Sequence, residues 1–86
     1  MAKYDPLKVY LKKISLSMNE VALSFDQISE ILQSDLPYSA YNHSAWWSNE
    51  TDGRHVQAHA WQDAGWNVES VNLDKRRVRF IQINTI

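Results

Sequence analysis

The sequence contains no cysteine, which excludes disulfide bonds and cysteine-ligated zinc as sources of stability. It also lacks low-complexity tracts and long runs of one charge, so we expect the chain to be folded throughout. No apolar run approaches the ~20 residues of a membrane-spanning helix, and the first residues lack the apolar core of a signal peptide. We therefore expect one cytoplasmic domain over residues 1–86, stabilised by packing alone and without membrane contact.

Basic and acidic residues are nearly balanced, at nine and ten, which leaves a net charge of −1. This balance argues against non-specific coating of nucleic acid, because the protein as a whole does not attract phosphates. Basic residues are nevertheless clustered at residues 8–13 and again at residues 75–79. We interpret the first cluster as a solvated helix face, whereas the second is suited to local contact with phosphates.

Two helices are predicted in the first half of the chain. Asp5 and Pro6 resemble an N-cap followed by proline at the first helical position, and apolar residues recur at helical spacing over 6–14. A brief strand is expected at 21–23. Ser24 and Gln27 form a capping box for a second helix over about residues 25–33, which the segment before Pro37 ends.

The second half of the chain predicts two further helices and a hairpin. Residues 38–47 have a weak helical pattern, residues 48–53 form a loop, and residues 55–64 have a second helical pattern. Gly65 is placed to adopt the left-handed conformation that ends a helix. Residues 66–73 and 77–83 are rich in strand-forming residues and flank a polar, basic turn.

This order of elements resembles the winged-helix variant of helix-turn-helix domains. The expected fold class is therefore α+β and winged-helix-like, with three or four helices, a short strand and a C-terminal β-hairpin. The resemblance implies DNA binding. It leaves open whether residues 38–47 or residues 55–64 form the recognition helix.

All four tryptophans and all three histidines lie between Pro37 and Trp66. Two interpretations compete for this segment: aromatic residues that pack the core of a small domain, or a surface that contacts a ligand. We expect Trp61, Trp66 and one of Trp46 and Trp47 inside, and among this last pair we favour Trp46. Trp47 is then a candidate for stacking on a nucleic acid or bracing its backbone.

Catalytic and metal-binding motifs are weak in this sequence. His55 and His59 have a spacing that can chelate a metal on a helix, with His43 or Asp52 as a third ligand, but the glutamate of the common zinc-protease motif is missing. We therefore favour exposed or phosphate-facing histidines and expect neither a metal nor a cofactor. No serine lies in a nucleophile elbow and no glycine loop could cradle a phosphate, so we expect no enzymatic activity and no catalytic residues.

The predicted function is binding of double-stranded DNA. The amide and guanidinium groups of Asn42, Asn49, Arg54 and Gln57 can form paired hydrogen bonds with the edges of adenine or guanine. Lys75, Arg76 and Arg77 at the hairpin tip are suited to hold phosphates or to enter a minor groove. The remaining candidates for nucleic-acid contact are His43, Trp47, His55 and His59. For the tip, an alternative is a charged turn that protects the hairpin edge from aggregation. The alternative function is a protein-interaction module, such as a phage-encoded inhibitor or a subunit of a defence complex.

A second pattern extends over most of the chain and is specific in the spacing of its tryptophans. Its residues are Lys3 to Leu7, Leu36, Pro37, Ser39, Ala40, His43, Ala45 to Asn49, Gln57, Ala58, Ala60, Trp61 and Ala64 to Trp66. With this pattern the sequence resembles a family of small bacterial and phage proteins that is described as a domain of unknown function. The resemblance implies one compact domain and no particular activity.

Overall fold

The computed structural model describes residues 3–49 and 56–83. Within these ranges the protein is an α+β fold of four α-helices and one three-stranded antiparallel sheet, which confirms the predicted class and the C-terminal hairpin. The elements are α1 (Asp5–Ile14), β1 (Glu20–Ser24), α2 (Phe25–Leu32), α3 (Tyr38–Asn42), a 3-10 helix (Ser44–Trp47), α4 (Ala58–Gln62), β2 (Trp66–Asn72) and β3 (Arg77–Gln82). No helix in these ranges has both the length and the apolar character needed to cross a bilayer.

Helix α1 begins one residue earlier than predicted. Tyr4 occupies the N-cap position without a side-chain hydrogen bond, and Asp5 lies in the first turn, so the prediction of Asp5 as N-cap was wrong. Its carboxylate still interacts favourably with the positive end of the helix dipole. The predicted apolar face is present, since Leu7 and Leu11 are buried.

Strand β1 joins helix α2 without a linker. Ser24 is both the last residue of β1 and the N-cap of α2. The predicted capping box is confirmed: the Gln27 N–H donates to the Ser24 hydroxyl at 3.0 Å, and the Ser24 N–H donates to the Gln27 side chain at 2.8 Å. The direction of the strand therefore fixes where the helix begins.

The third predicted helix is divided into two short helices. His43 adopts an extended conformation, with φ −133° and ψ 114°, between α3 and the 3-10 helix. The cause is the indole of Trp47, whose N–H donates to the Ala40 carbonyl at 2.8 Å. In a continuous helix that carbonyl would accept from the Ser44 backbone instead. Burying Trp47 thus competes with the helix, and the helix is interrupted.

Helix α4 is shorter than predicted, since its described residues are Ala58–Gln62 and residue 55 lies outside the described ranges. The predicted role of Gly65 is confirmed by its φ of +88°. Its N–H donates to the Gln62 carbonyl at 3.0 Å, and its own carbonyl accepts from the Ile83 N–H at 2.8 Å. Gly65 therefore turns the chain from α4 into β2 and links that turn to the end of β3.

Replacing Gly65 by alanine should lower the free energy of unfolding by about 1–2 kcal/mol, because a residue with a side chain is strained at positive φ. A steric clash adds nothing, since an added Cβ would meet no atom within 4 Å. Urea denaturation measures the loss. Gly65→Asn is the matched control and should lose less, because asparagine tolerates this conformation better. An alanine variant as stable as the parent would contradict the argument.

The sheet has the strand order β1–β3–β2, with β3 in the centre. On its inner face, Phe80 pairs with Val21 on one side and with Val68 on the other. On its outer face, Arg79 contacts the carboxylate of Glu20, and its Nε lies 2.6 Å from a carboxylate oxygen of Glu69. The inner face supplies one wall of the core, and the outer face is polar.

The core is built around a row of aromatic rings. Trp47 stacks on Phe25 at 5.0 Å between ring centroids and on Trp61 at 6.0 Å, and Trp61 lies 5.8 Å from Phe80. Trp61 and Trp66 are buried as predicted. For the adjacent pair, however, the preference was wrong: Trp47 is 1% exposed, whereas Trp46 is only partly buried at the edge of the core.

Candidate nucleic-acid interface

The turn between β2 and β3 is tied to the start of α2. The Asn72 side-chain carbonyl accepts from the Lys75 N–H at 3.0 Å, which closes the turn. Arg76 then adopts a left-handed conformation with φ 54°. Its carbonyl accepts from the Phe25 N–H at 2.9 Å, so the basic tip is held against the first residue of α2.

The side chain of Arg76 connects this tip to helix α3. Its guanidinium lies 5.2 Å from the centroid of the Tyr41 ring, within the range of a cation–π contact. Tyr41 in turn packs edge-on against Phe25 at 5.5 Å. The chain neighbours of Tyr41 are Asn42 and His43, so two groups of predicted contacts that are distant in sequence meet here. We call Asn42, His43, Lys75, Arg76 and Arg77 the hairpin-tip surface.

All five side chains of the hairpin-tip surface belong to exposed residues. Among the described residues, Lys75, Arg76 and Arg77 form no ion pair, although Asp74 lies in the same turn. Arg79, by contrast, is neutralised by two glutamates, and Lys8 lies 3.9 Å from the Asp5 carboxylate. Among the described basic residues of the sheet and its hairpin turn, those without an acidic partner are therefore the three at this tip.

The other members of the surface retain hydrogen-bonding capacity. The Asn42 amide donates to the Tyr38 carbonyl at 3.0 Å, which uses one of its two N–H groups, and its oxygen has no hydrogen-bond partner among the described residues. The His43 ring lies 6.3 Å from the ring of Tyr38, with edge-on geometry. Both side chains can still contact a ligand beside Arg76.

Three predicted contact residues have partners within the fold, and the two that are buried, Trp47 and Gln57, correct the prediction that they contact a nucleic acid. Trp47 is buried and stacked between other rings, which prevents it from reaching a nucleic acid. Gln57 is 9% exposed and donates from its amide to the Trp46 carbonyl at 3.0 Å. Asn49 is exposed, but hydrogen bonds within the fold use its amide. These residue types were read correctly as hydrogen-bonding groups, but their partners lie within the chain.

Asn49 closes one edge of the sheet. Its side-chain oxygen accepts from the Val68 N–H at 2.8 Å, and its amide donates to the Val68 carbonyl at 2.9 Å. The same oxygen accepts from the indole of Trp61 at 3.0 Å. The side chain therefore pairs with β2 as a neighbouring strand would, and it satisfies a buried tryptophan at the same time.

The remaining candidates lie elsewhere or are not described. Arg54 and His55 lie outside the described residues, and so does Asp52, which the sequence offered as a third metal ligand. His59 is exposed on α4, where its Nδ1 lies 3.9 Å from the Asp63 carboxylate. Within the described ranges, no group of three potential ligands is arranged to hold a metal ion.

His59 borders a cleft between the start of α1 and α4. The cleft has a volume of about 430 Å³ and mostly apolar walls. Burial raises the pKa of the Tyr4 hydroxyl in its wall, so this group remains neutral at physiological pH. The cleft is lined by Lys3, Tyr4, Asp5, Lys8, Val56, His59, Ala60 and Asp63.

Sequence patterns missed the residue that unites the hairpin-tip surface. Tyr41 appeared only as part of a weak helical pattern, and nothing local marks it as a partner for an arginine far along the chain. The contact follows from the pairing of β1 with β3, which brings the hairpin tip to the start of α2 and which no local sequence signal indicates.

Residues 4–82 match a family described as a domain of unknown function, DUF7662. The chain belongs to this family. The match begins at the N-cap of α1 and ends with the last residue of β3, so the family comprises every helix and strand described above. No curated protein and no solved structure matches the chain. The description of the family names no activity.

Proposed function

We propose that this protein binds double-stranded DNA through the hairpin-tip surface, as a small bacterial or phage regulator or targeting module of winged-helix type in the cytoplasm. The order of elements supports this, because a helix, a strand and four helical segments precede a hairpin whose second strand pairs with β1. We propose no catalytic activity and no cofactor.

The observation that carries the proposal is the exposed guanidinium of Arg76. It lies over the Tyr41 ring and has no carboxylate partner among the described residues. The φ of Arg76, 54°, is costly for arginine, but Gln33 has the same φ at the end of α2, so the backbone conformation alone does not identify a site. An exposed cation held in place without an ion pair suits a ligand outside the chain, and a phosphate suits the planar guanidinium.

The hairpin is short, and its length limits which of its residues can reach DNA. Arg77, the first residue of β3, pairs with Ser24, the last residue of β1, so the hairpin ends level with the start of α2. The tip therefore does not project as a long wing. We assign the phosphate contacts to Lys75, Arg76 and Arg77, and the base-edge contact to Asn42 beside them.

Replacing Arg76 by glycine should separate binding from stability. Glycine relieves the strained backbone while the cation–π contact is lost, two opposing effects of about 1 kcal/mol each, so the unfolding midpoint in urea should scarcely change. Affinity for mixed double-stranded DNA fragments at low salt should fall roughly tenfold. The slope of log affinity against log salt should fall by about one, as expected for one lost phosphate contact. Fluorescence anisotropy measures both.

Lys12→Ala is the matched control, because it removes the same charge at the other end of β3. Lys12 lies in the last turn of α1, three residues before Ser15, whose carbonyl accepts from the Gln82 side chain at 2.9 Å. Gln82 is separated from Arg76 by about 20 Å of β3. This variant should bind as the parent does. Equal losses of affinity in both variants would show that the effect arises from net charge and not from the tip. The proposal would be overturned if the parent protein did not bind DNA at low salt.

The second candidate function, a protein-interaction module, is favoured by a different observation. Several large apolar side chains are exposed near the end of β3, and Leu16 is the extreme case at 92%. The others are Met18, Ile81 and Ile83. Such a contact would respond little to salt, whereas counterion release makes DNA binding steeply salt-dependent. A partner retained at high salt, and lost on replacing Leu16 by serine, would favour this function.

A further inference from the structure

Strand β1 forms an open edge of the sheet. The Phe25 N–H donates to the Arg76 carbonyl, which fixes the alternation of hydrogen bonds along β1 and β3. The backbone groups of Glu20, Ala22 and Ser24 therefore point away from β3. Glu20 and Ala22 are exposed, so nothing in the described part of the chain covers their N–H and carbonyl groups.

The two edges of the sheet are treated differently. Along β2, the Asn49 side chain bonds the outward N–H and carbonyl of Val68. Along β1, the outward Ser24 N–H donates to the Gln27 side chain of the capping box, and the Ser24 carbonyl, as the N-cap carbonyl of α2, accepts the first bond of that helix. The outward groups of Glu20 and Ala22 have no hydrogen-bond partner among the described residues. An edge with unpaired backbone groups is a template for another strand.

We propose that β1 pairs antiparallel with β1 of a second copy of this chain, about a two-fold axis at Ala22. In this register Ala22 exchanges both of its outward hydrogen bonds with Ala22 of the second copy. The Glu20 N–H donates to the Ser24 carbonyl of the second copy, whose other lone pair accepts the first bond of helix α2, while the Ser24 N–H remains with Gln27. The two sheets then become one continuous sheet. This inference does not depend on DNA binding.

Charge complementarity is the reason to propose a second copy of this chain as the partner that pairs with the β1 edge. Glu20 lies opposite Ser24 of the second copy, and Ser24 is the direct neighbour of Arg77 in the sheet. Side chains in such a row lie on one face and about 5 Å apart per strand, so Glu20, whose carboxylate also contacts Arg79 of its own chain, comes within reach of Arg77 of the second copy. The two-fold axis produces this attraction twice. Arg77 has no ion pair among the described residues of the isolated chain.

The side chains of β1 also suit a self-complementary contact. Ala22, at the axis, is small and leaves room for a second alanine on the outer face. On the inner face, half-buried Val21 lies beside Leu23 of the second copy and gains apolar cover. The contact area is small, so the dimer is weak and its formation depends on concentration.

Sedimentation equilibrium of the purified protein tests this directly. We expect a 10.0 kDa monomer at low concentration and a species of twice that mass as the concentration rises toward ~0.5 mM, in the range of weak association. Ala22→Pro removes the central N–H, which points away from β3, and should raise the dissociation constant at least tenfold. Ala22→Ser keeps the N–H and should dimerise as the parent does.

A pair of charge reversals provides an independent variant should proline disturb the strand. Glu20→Arg alone and Arg77→Glu alone should each weaken the dimer, whereas the double variant restores opposite charges across the axis and should recover it. A protein that remains monomeric at all concentrations overturns the proposal. So does a dimer that survives Ala22→Pro or is insensitive to the charge reversals, because its interface would then be a different surface or a different partner.

Discussion

Replacing Trp47 by alanine should lower the free energy of unfolding by about 3–5 kcal/mol. Trp47 is 1% exposed and stacks on both Phe25 and Trp61, so its loss leaves a cavity between α2 and α4 that neighbouring rings cannot fill without moving. It also leaves the buried Ala40 carbonyl without the indole donor. Since small domains are stable by only ~5–15 kcal/mol, a large part of the population should unfold at 37 °C. Thermal denaturation followed by circular dichroism measures the loss.

Trp47→Phe and Trp46→Ala are the controls for this prediction. Phenylalanine retains a stacked ring while losing the hydrogen bond to Ala40, so its cost should be clearly smaller than that of alanine. Trp46 is only partly buried, and its replacement should cost less than that of Trp47 although the atoms removed are the same. An equal loss at both positions would show that Trp47 is not the centre of the packing.

Replacing Asn49 by alanine should have the second largest effect, a loss of about 2–4 kcal/mol. The buried indole N–H of Trp61 would lose its acceptor, which is costlier than losing an exposed hydrogen bond. The backbone groups of Val68 would also open to solvent, so the edge of β2 would become a second template for association. Urea denaturation measures the first effect, and light scattering measures the second.

Asn42→Ala is the matched control, because this asparagine also donates to a backbone carbonyl but on an exposed helix end. We expect a change within about 0.5 kcal/mol. A double-mutant cycle with Trp61→Phe then isolates the indole contact: once the N–H is absent, Asn49→Ala should cost clearly less. If Asn49→Ala costs no more than Asn42→Ala, the side chain does not close the sheet edge.

The sequence predicted correctly those features that depend only on residues close together in the chain. Ser24 and Gln27 satisfy each other within one turn, and Gly65 is required by the conformation of a single residue, so both were readable from the sequence. The interruption at His43 was not readable. It depends on which of two adjacent tryptophans reaches the Ala40 carbonyl, and helical periodicity permits either one to lie inside.

The same distinction applies to the candidate site. Lys75, Arg76 and Arg77 were correctly placed at the hairpin tip, because a turn between two strands is exposed whatever surrounds it. Asn49 and Gln57 were assigned to a ligand because an amide can bond either a base or a backbone group. Only the fold reveals that their partners are Val68, Trp61 and the Trp46 carbonyl.

The central position of β3 affects the order in which the chain can complete its structure during synthesis. Both neighbours of β3 precede it in the sequence, and they are not neighbours of each other. A nascent chain therefore carries β1 and β2 as unpaired segments until the strand between them has been made, and the helices have no complete sheet to cover until then. A ribosome that stalls before Arg77 would release a chain that cannot assemble its sheet.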